Sequence, residues 1–547
     1  MKRVILIGLS GTGKSSVARR LSARLGFDAI DIDDEIVKLF GHGISEIFRR
    51  QGESVFRAAE RRLLEDACTR PNLVIATGGG AVLDEANWVS MRPESLIIHL
   101  TAQPEELIER LQRQVAADSS TVRPLLVSND PVADLERMWR MRRPYYERAD
   151  AEIETGGKSL EDVVDDAERL VRAAQCGELP LPIGTLGVPT GRSDLYVASG
   201  LLESAGRLIR RRFPAARRAW IISDSNVAPL WSEPVRESLE STGFEADLLA
   251  VPAGETSKSF EQVSRLLDQL LNGRIDRRDV VVALGGGVVG DLAGFVAAIV
   301  LRGVGLVQIP TSLLAMVDSS VGGKTGVDHA RGKNLIGAFY QPQLVIADPT
   351  VLATLPEREW RAGWAEIIKH GMIETTATGG VEPRLLSRIE NASDAELRAV
   401  DFMASIVTDN VRIKRAVVQG DEREAGLRRV LNYGHTLGHA MEASNYRYVH
   451  GEAIALGMRA AIALAIRLGR STEIIARRQN AVLDRLQLPA EFDGELAEVM
   501  EHIWSDKKAV SGVLTWILPG KKIGIVDIVN DVPLADVEAV ARAIGAR

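Results

Sequence analysis

VILIGLSGTGKS, residues 4–15, is a short apolar run that turns into Gly8-Leu9-Ser10-Gly11-Thr12-Gly13-Lys14-Ser15 and then a helical pattern. G-x-x-x-x-G-K-S between a strand and a helix wraps backbone N–H groups around phosphates, with Gly11, Thr12, Gly13 and Ser16 forming the cradle. Lys14 neutralises the terminal phosphates, and the Ser15 hydroxyl holds magnesium. A strand running into such a loop implies an α/β fold with a parallel sheet.

The 547 residues exceed what one hydrophobic core serves, so two or more domains are expected. A net charge of -7 argues against a dedicated nucleic-acid binder. Cys68 and Cys176, the only cysteines, are too far apart to form a motif, which suggests a reducing compartment without disulfides. MKRVILIGLS is too short for a signal sequence before it turns into glycine. Val280–Leu301, VVVALGGGVVGDLAGFVAAIVL, is long enough to cross a bilayer, but strand, glycine loop and helix in series explain its Asp291 and five glycines better. The expectation is a cytoplasmic protein with neither membrane nor nucleic-acid partner.

Around the phosphate loop, Asp31-Ile32-Asp33 follows a second apolar segment, and alternate strand positions would put both carboxylates on one side. Arg57 follows Gly52-Glu53, and Gly78-Gly79-Gly80 closes an apolar run where backbone can approach a ligand. Arg123-Pro124-Leu125 lies in a polar stretch suited to a lid, and Arg142 opens Arg-Arg-Pro-Tyr-Tyr. Taken singly, each arginine is an ordinary surface residue. Together they resemble shikimate kinase over about Met1 to Val171. The resemblance implies that Asp33, Arg57, Gly79, Gly80 and Arg142 bind shikimate, with Asp33 catalytic, while Asp31 and Ser15 serve Mg2+ of bound ATP. It makes Arg123 the lid arginine beside Lys14 and Arg113 the candidate for stacking on adenine. An anionic acceptor suits bidentate guanidinium groups.

Residues 173–192 lose helical periodicity and concentrate Gly and Pro, which gives three expected parts joined by a linker. Residues 1–172 are the phosphate-loop domain, 193–350 an α/β nucleotide-binding domain and 351–547 a mainly helical domain. In the second part Ala219–Ser223 ends in Asp224-Ser225-Asn226, and Glu255 leads on to Lys258. Gly285-Gly286-Gly287 with Asp291 is not G-x-G-x-x-G, and a tight helix–sheet contact would explain it as well. Asp318, Lys324, Lys333 and Asn334 sit among small residues that suit a phosphate or carboxylate pocket, or a solvated loop. Glu366 and Lys369 stand three apart on a helix, a spacing whose default is an exposed ion pair.

The chain has only eight histidines, and His435, His439 and His450 crowd into NYGHTLGHAMEASNYRYVHGE, residues 432–452. His435 and His439, four apart, project from one helix face at metal-ligand or proton-relay spacing. A metal site wants a further ligand from elsewhere, and Glu366 is available. In order and spacing, Val188 to about Ile544 resembles 3-dehydroquinate synthase. The resemblance implies NAD on the α/β part, contacted by Asp224, Asn226, Glu255, Lys258, Gly286, Gly287, Asp291, Thr311 and Thr354. It implies a divalent metal, Zn2+ or Co2+, on Glu366, His435 and His450, with His439 handling protons. Substrate would lie on Asp318, Lys324, Lys333, Asn334, Lys369, Lys414, Arg428 and Asn432, with Lys507 or Lys508 nearby and Arg302 reaching across a homodimer. The implied substrate is a heptulosonate phosphate, whose transient oxidation by NAD acidifies the C–H that must break before phosphate leaves.

Two other readings compete. A metal- and NAD-dependent polyol dehydrogenase shares the fold, but a neutral polyol gives no reason to gather Lys324, Lys333, Lys369 and Arg302. A nucleotide-sensing regulator would not need Asp33 with Arg57 and Arg142. The expectation is therefore an enzyme with two activities in one aromatic-biosynthesis pathway.

Overall fold

The structure, a computed structural model, describes residues 2–91, 95–117, 130–146, 149–176, 182–444, 447–509, 514–530 and 532–547. The chain divides into two compact units, Met1–Gly184 and Thr185–Arg547.

The first unit is built on β1 (Arg3–Ile7), β2 (Asp28–Asp31), β3 (Leu73–Ala76), β4 (Ser95–Thr101) and β5 (Ala151–Glu154). They form one parallel sheet in the order β2-β3-β1-β4-β5. The run Val4–Ile7 shows why both faces are covered. Ile5 and Ile7 enter one core with Trp88 and Tyr146, whereas Val4 and Leu6 enter the other with Val17 and Leu21. Helix Lys14–Leu25 starts from Gly13, at φ 90°, a left-handed position that glycine accepts without steric cost.

One local expectation is overturned. The strand ends at Asp31 and a helix, Ile32–Phe40, starts at once, so Asp31 and Asp33 do not share a strand face. The Asp31 carboxylate accepts the backbone N–H of Asp33 at 3.0 Å and of Asp34 at 3.3 Å, and Asp33, Asp34 and Glu35 complement the helix N-terminus.

The second unit carries β6 (Gly184–Val188), β7 (Gly191–Val197), β8 (Arg218–Asp224), β9 (Glu245–Val251), β10 (Val280–Gly285), β11 (Gly305–Pro310), β12 (Lys324–His329), β13 (Gly332–Phe339) and β14 (Leu344–Ala347). Seven form a sheet in the order β6-β7-β14-β11-β10-β8-β9, and β12 with β13 forms an antiparallel hairpin. The stretch 173–192 is thus not a bare linker. Helix Leu160–Cys176 runs into it, and β6 buries Thr185 and Leu186 there. Among its described residues, Gly184, Gly187 and Gly191 belong to β6 and β7, with Pro189 in the short connection between them.

Val280–Leu301 resolves into β10, then helix Gly287–Ile299. Among the described residues no helix is long and apolar enough to cross a membrane. Beyond β14 the unit is mainly helical, with Glu357–Thr378, Val400–Gly420, His435–Ser444 and His450–Arg467 as the elements that matter below.

Candidate active sites

In the first unit, the Lys14 ammonium folds back over its loop and donates to the Gly8 and Leu9 carbonyls, both at 2.8 Å. Helix Pro104–Ala117 closes against the loop, since a Cβ on Gly11 would meet the Leu107 carbonyl at 3.2 Å. From that helix, Arg110 donates to the Thr155 hydroxyl and carbonyl at 2.9 and 2.7 Å. Arg113, the candidate for stacking on adenine, is exposed and pairs with Glu109 one turn away. Arg123 lies outside the described residues.

The acceptor residues converge on the turn Gly78–Gly80. A Cβ on Gly78 would lie 2.6 Å from both the Asp33 and Glu60 carboxylates, and one on Gly80 would lie 2.5 Å from the Arg57 guanidinium. Glycine there lets the arginine lie against the turn without being displaced. Arg142 lies 3.3 Å from the corresponding point on Gly79, and the wholly buried Tyr146 donates its hydroxyl to the Gly79 carbonyl at 2.5 Å. Glu60, which the sequence reading left without a role, accepts from Arg57 at 2.7 Å. Burial raises its carboxyl above the usual range, and Arg57 offsets this only in part.

In the second unit, β8, β10 and β11 lie in register and end together, Leu284 beside Ser223 and Ile309. This is the edge where open parallel sheets bind ligands. Asp224 closes the turn after β8 by accepting from Asn226 and Val227 N–H at 2.8 and 3.0 Å. Gly286 opens the helix after β10, and Thr311 N–H donates to the Gly285 carbonyl at 3.0 Å. Lys258 pairs with Asp291 at 2.6 Å and touches Asn334; burial raises both Asp291 and Glu255. Thr354, after β14, accepts from the Trp231 indole at 3.1 Å.

The histidines meet Glu366. Its Oε1 lies 3.4 Å from His450 Nε2 and 3.8 Å from His435 Nε2, and Glu366 is wholly buried, with Oε2 ion-paired to Lys369 and Oε1 without a well-aligned hydrogen bond. His435 Nδ1 faces the Tyr433 carbonyl at 3.1 Å, and His450 Nδ1 faces Glu442 at 3.2 Å. In neutral rings with hydrogen on Nδ1, where His435 meets a carbonyl and His450 a carboxylate, the two Nε2 atoms nearest Glu366 Oε1 would be left to ligate an ion. A buried carboxylate oxygen facing two such imidazoles fits a divalent cation of the zinc type. His439 stands next to them, its ring 5.0 Å from that of His435 and 5.8 Å from that of His450. Burial pushes His439 down to about 4 and His435 well below its ordinary value. Burial also works against charge on His450, but Glu366 and Glu442 on either side raise it to about 9.

Around this centre each lysine is matched by a carboxylate: Lys369 by Glu366, Lys414 by Asp318, Lys324 by Glu424 and Lys333 by Glu442. Burial lowers Lys414 to about 8; it would raise Asp318, but Lys414 and Lys369 carry Asp318 well below the carboxylate range. Asn432 donates to Glu424 at 2.8 Å, and the buried Arg428 reaches the Gly322 carbonyl at 3.2 Å. Arg302 takes a left-handed conformation, φ 67°, at the end of the helix after β10. The side chains of Lys507 and Lys508 lie outside the described residues. The sequence reading missed Glu424 and Glu442. Glu424 meets Lys324 across 100 residues of chain and left no local signal, whereas Glu442 stands seven after His435, on the same helix face.

Residues 248–362 match the N-terminal 3-dehydroquinate synthase family and residues 363–509 its C-terminal counterpart. A 3-dehydroquinate synthase of Desulforamulus reducens is 45% identical over 364 residues, which cover 65% of this chain and 99% of that one. The chain belongs to the 3-dehydroquinate synthase family. A synthase of Symbiobacterium thermophilum is 44% identical over 360 residues, 64% of this chain and 98% of its own. Among solved structures, 2-epi-5-epi-valiolone synthase of Streptomyces hygroscopicus, with NAD+ and Zn2+ bound, is 28% identical with a TM-score of 0.59, covering 65% of this chain and 98% of that one. Residues 10–172 match the shikimate kinase family. The chain is thus a bifunctional enzyme of the shikimate pathway, a phosphotransferase unit followed by a phosphate-eliminating lyase unit.

Proposed function

We propose that the synthase unit converts 3-deoxy-D-arabino-heptulosonate 7-phosphate to 3-dehydroquinate, with Glu366, His435 and His450 holding a divalent ion, Zn2+ or Co2+. The observation that carries this reading is the approach of Glu366 Oε1 to two Nε2 atoms at 3.4 and 3.8 Å inside a set of paired lysines. When bound, the ion polarises a substrate hydroxyl, and NAD serves as a transient hydride acceptor that is regenerated in the same turnover. NAD is assigned to the strand-end residues Asp224, Asn226, Glu255, Lys258, Gly286, Gly287, Asp291, Thr311 and Thr354. His439, kept neutral by burial, accepts a proton. Asp318, Lys369, Lys414, Arg428, Asn432 and Asn334 hold the acid and its hydroxyls, while Lys324 and Lys333 exchange carboxylate partners for substrate. Arg302 binds the phosphate of a partner copy in a homodimer.

In the kinase unit, ATP with Mg2+ supplies the phosphoryl group to shikimate. Lys14 and the amides of Gly11–Ser16 cradle its phosphates, Ser15 and Asp31 serve the ion, and Arg110 flanks the adenine. Arg57 and Arg142 grip the carboxylate of shikimate, Gly79 and Gly80 approach its ring, and Asp33 takes the proton of the attacking hydroxyl. Arg123 reaches the transferred group.

Each substrate is assayed separately, before and after chelation with a zinc-binding agent. Phosphate release from the heptulosonate should vanish on chelation and return with Zn2+ or Co2+, with no net NADH. Shikimate-dependent ADP release should need only Mg2+. Steady NADH accumulation from a neutral polyol would favour a dehydrogenase.

A further inference from the structure

We propose that Glu442 is a positioning residue that orients His450 and couples it to Lys333 through one shared carboxylate, an inference that rests on the metal reading above. Glu442 lies on helix His435–Ser444, two turns after His435, so its side chain enters the site from the face that carries His435 and His439. Its two oxygens are used differently. Oε2 faces His450 Nδ1 at 3.2 Å, and Oε1 takes the Lys333 ammonium at 2.7 Å. The Glu442 side chain is only 13% exposed, whereas Lys333 is 49% exposed and free to change partner.

The contact at Nδ1 fixes the ring. A proton shared between Nδ1 and Glu442 would leave Nε2, 3.4 Å from Glu366, as the nitrogen that ligates a bound ion. A carboxylate behind an imidazole also raises its strength as a ligand. Lys333 comes from a different element, β13, and draws on the same negative charge. A substrate-side cation and a metal-side imidazole therefore compete for one carboxylate. His435 is held differently, by the neutral Tyr433 carbonyl at 3.1 Å. The two imidazoles are thus unequal: the strength of His450 as a ligand depends on what Lys333 is doing, and that of His435 does not. When Lys333 turns to an anionic substrate, Glu442 gives more of its charge to His450, and the ion is held more tightly while substrate is present.

The test titrates Co2+ into the metal-free, full-length protein and follows visible absorption, with circular dichroism checking the fold of each variant. Glu442→Ala should weaken Co2+ binding by about 10–100-fold. Glu442→Gln keeps an acceptor for Nδ1–H but not the charge, and should fall between Ala and the parent. Lys333→Met should tighten Co2+ several-fold in the parent chain and change nothing once Glu442 is Ala, a non-additivity that simple loss of structure does not produce. If Lys333→Met has the same effect in both backgrounds, the lysine merely repels the ion and the coupling is refuted. Unchanged Co2+ affinity in both Glu442 variants refutes the positioning role. If Glu366→Gln and His435→Ala bind Co2+ like the parent, the metal reading itself fails and takes this inference with it.

Discussion

The two units use the same helical device with opposite working ends. Arg57 and Glu60 in the kinase unit, and Glu366 and Lys369 in the synthase unit, are ion pairs three residues apart on one helix. In the first, the carboxylate is buried at 1% exposure, while the arginine, at 26%, faces the glycine turn proposed to hold substrate. In the second, both partners are sealed in, at 0 and 1%, and the carboxylate faces the histidines. Burial tends to raise both carboxyls. It prevails at Glu60, which has few cations to oppose it, but Lys369, His450 and His435 carry Glu366 far below the usual range. The environment, more than the spacing, decides which member of a pair is free to act.

The bluntest way to break this comparison is to show that the units depend on each other. Lys14→Ala should cut shikimate-dependent ADP release by at least about 100-fold and leave dehydroquinate formation intact. His435→Ala should do the reverse, and loss of both activities in either variant would contradict two self-sufficient sites.

Next in size is the contrast between the two pairs. Glu366→Gln strands the buried Lys369 ammonium and should destabilise the synthase unit by about 3–5 kcal/mol, read as a lower urea midpoint. Glu60→Gln should cost only about 1 kcal/mol and raise KM for shikimate, but not for ATP. Equal destabilisation would erase the distinction. Tyr146→Phe, which removes the hydroxyl holding the Gly79 carbonyl, should cost about 1 kcal/mol of shikimate binding, near a fivefold rise in KM.

The smallest effect concerns Glu374, on the same helix as Glu366, whose carboxylate accepts from the N–H groups of Arg384 and Leu385, both at 2.9 Å. Burial raises it to about 7. The folded state therefore keeps a proton that the unfolded chain releases, so stability should fall as pH rises from about 4.5 to about 7. Denaturation midpoints at pH 5 and pH 7.5 should differ less in Glu374→Gln than in the parent, and an identical difference would count against it.

Much of this was legible in the chain because the determining interactions are local. The phosphate loop needs glycine at fixed positions next to a lysine, and alternate residues of Val4–Ile7 belong to opposite cores. The convergence of Glu366 with His435 and His450 was legible only through family resemblance, since nothing local links residues so far apart. Asp31 was misread although the acidic run after it signals a helix N-terminus; the apolar residues before it outweighed that cue. Arg110 and Arg113 stand three apart on one helix, and nothing local in the sequence marks Arg110 as the one that reaches Thr155. Glu424, which faces Lys324, was invisible because charge pairing across 100 residues of chain leaves no periodic trace.

The edge strand β6 has a practical consequence for anyone wishing to cut the two enzymes apart. A synthase begun at Ser193 would lack the whole first strand of its hairpin and part of the second, leaving the rim of a seven-stranded sheet bare and ready to pair with neighbouring molecules. Excision ahead of Gly184 keeps that rim covered, so solubility on expression should turn on fewer than ten residues.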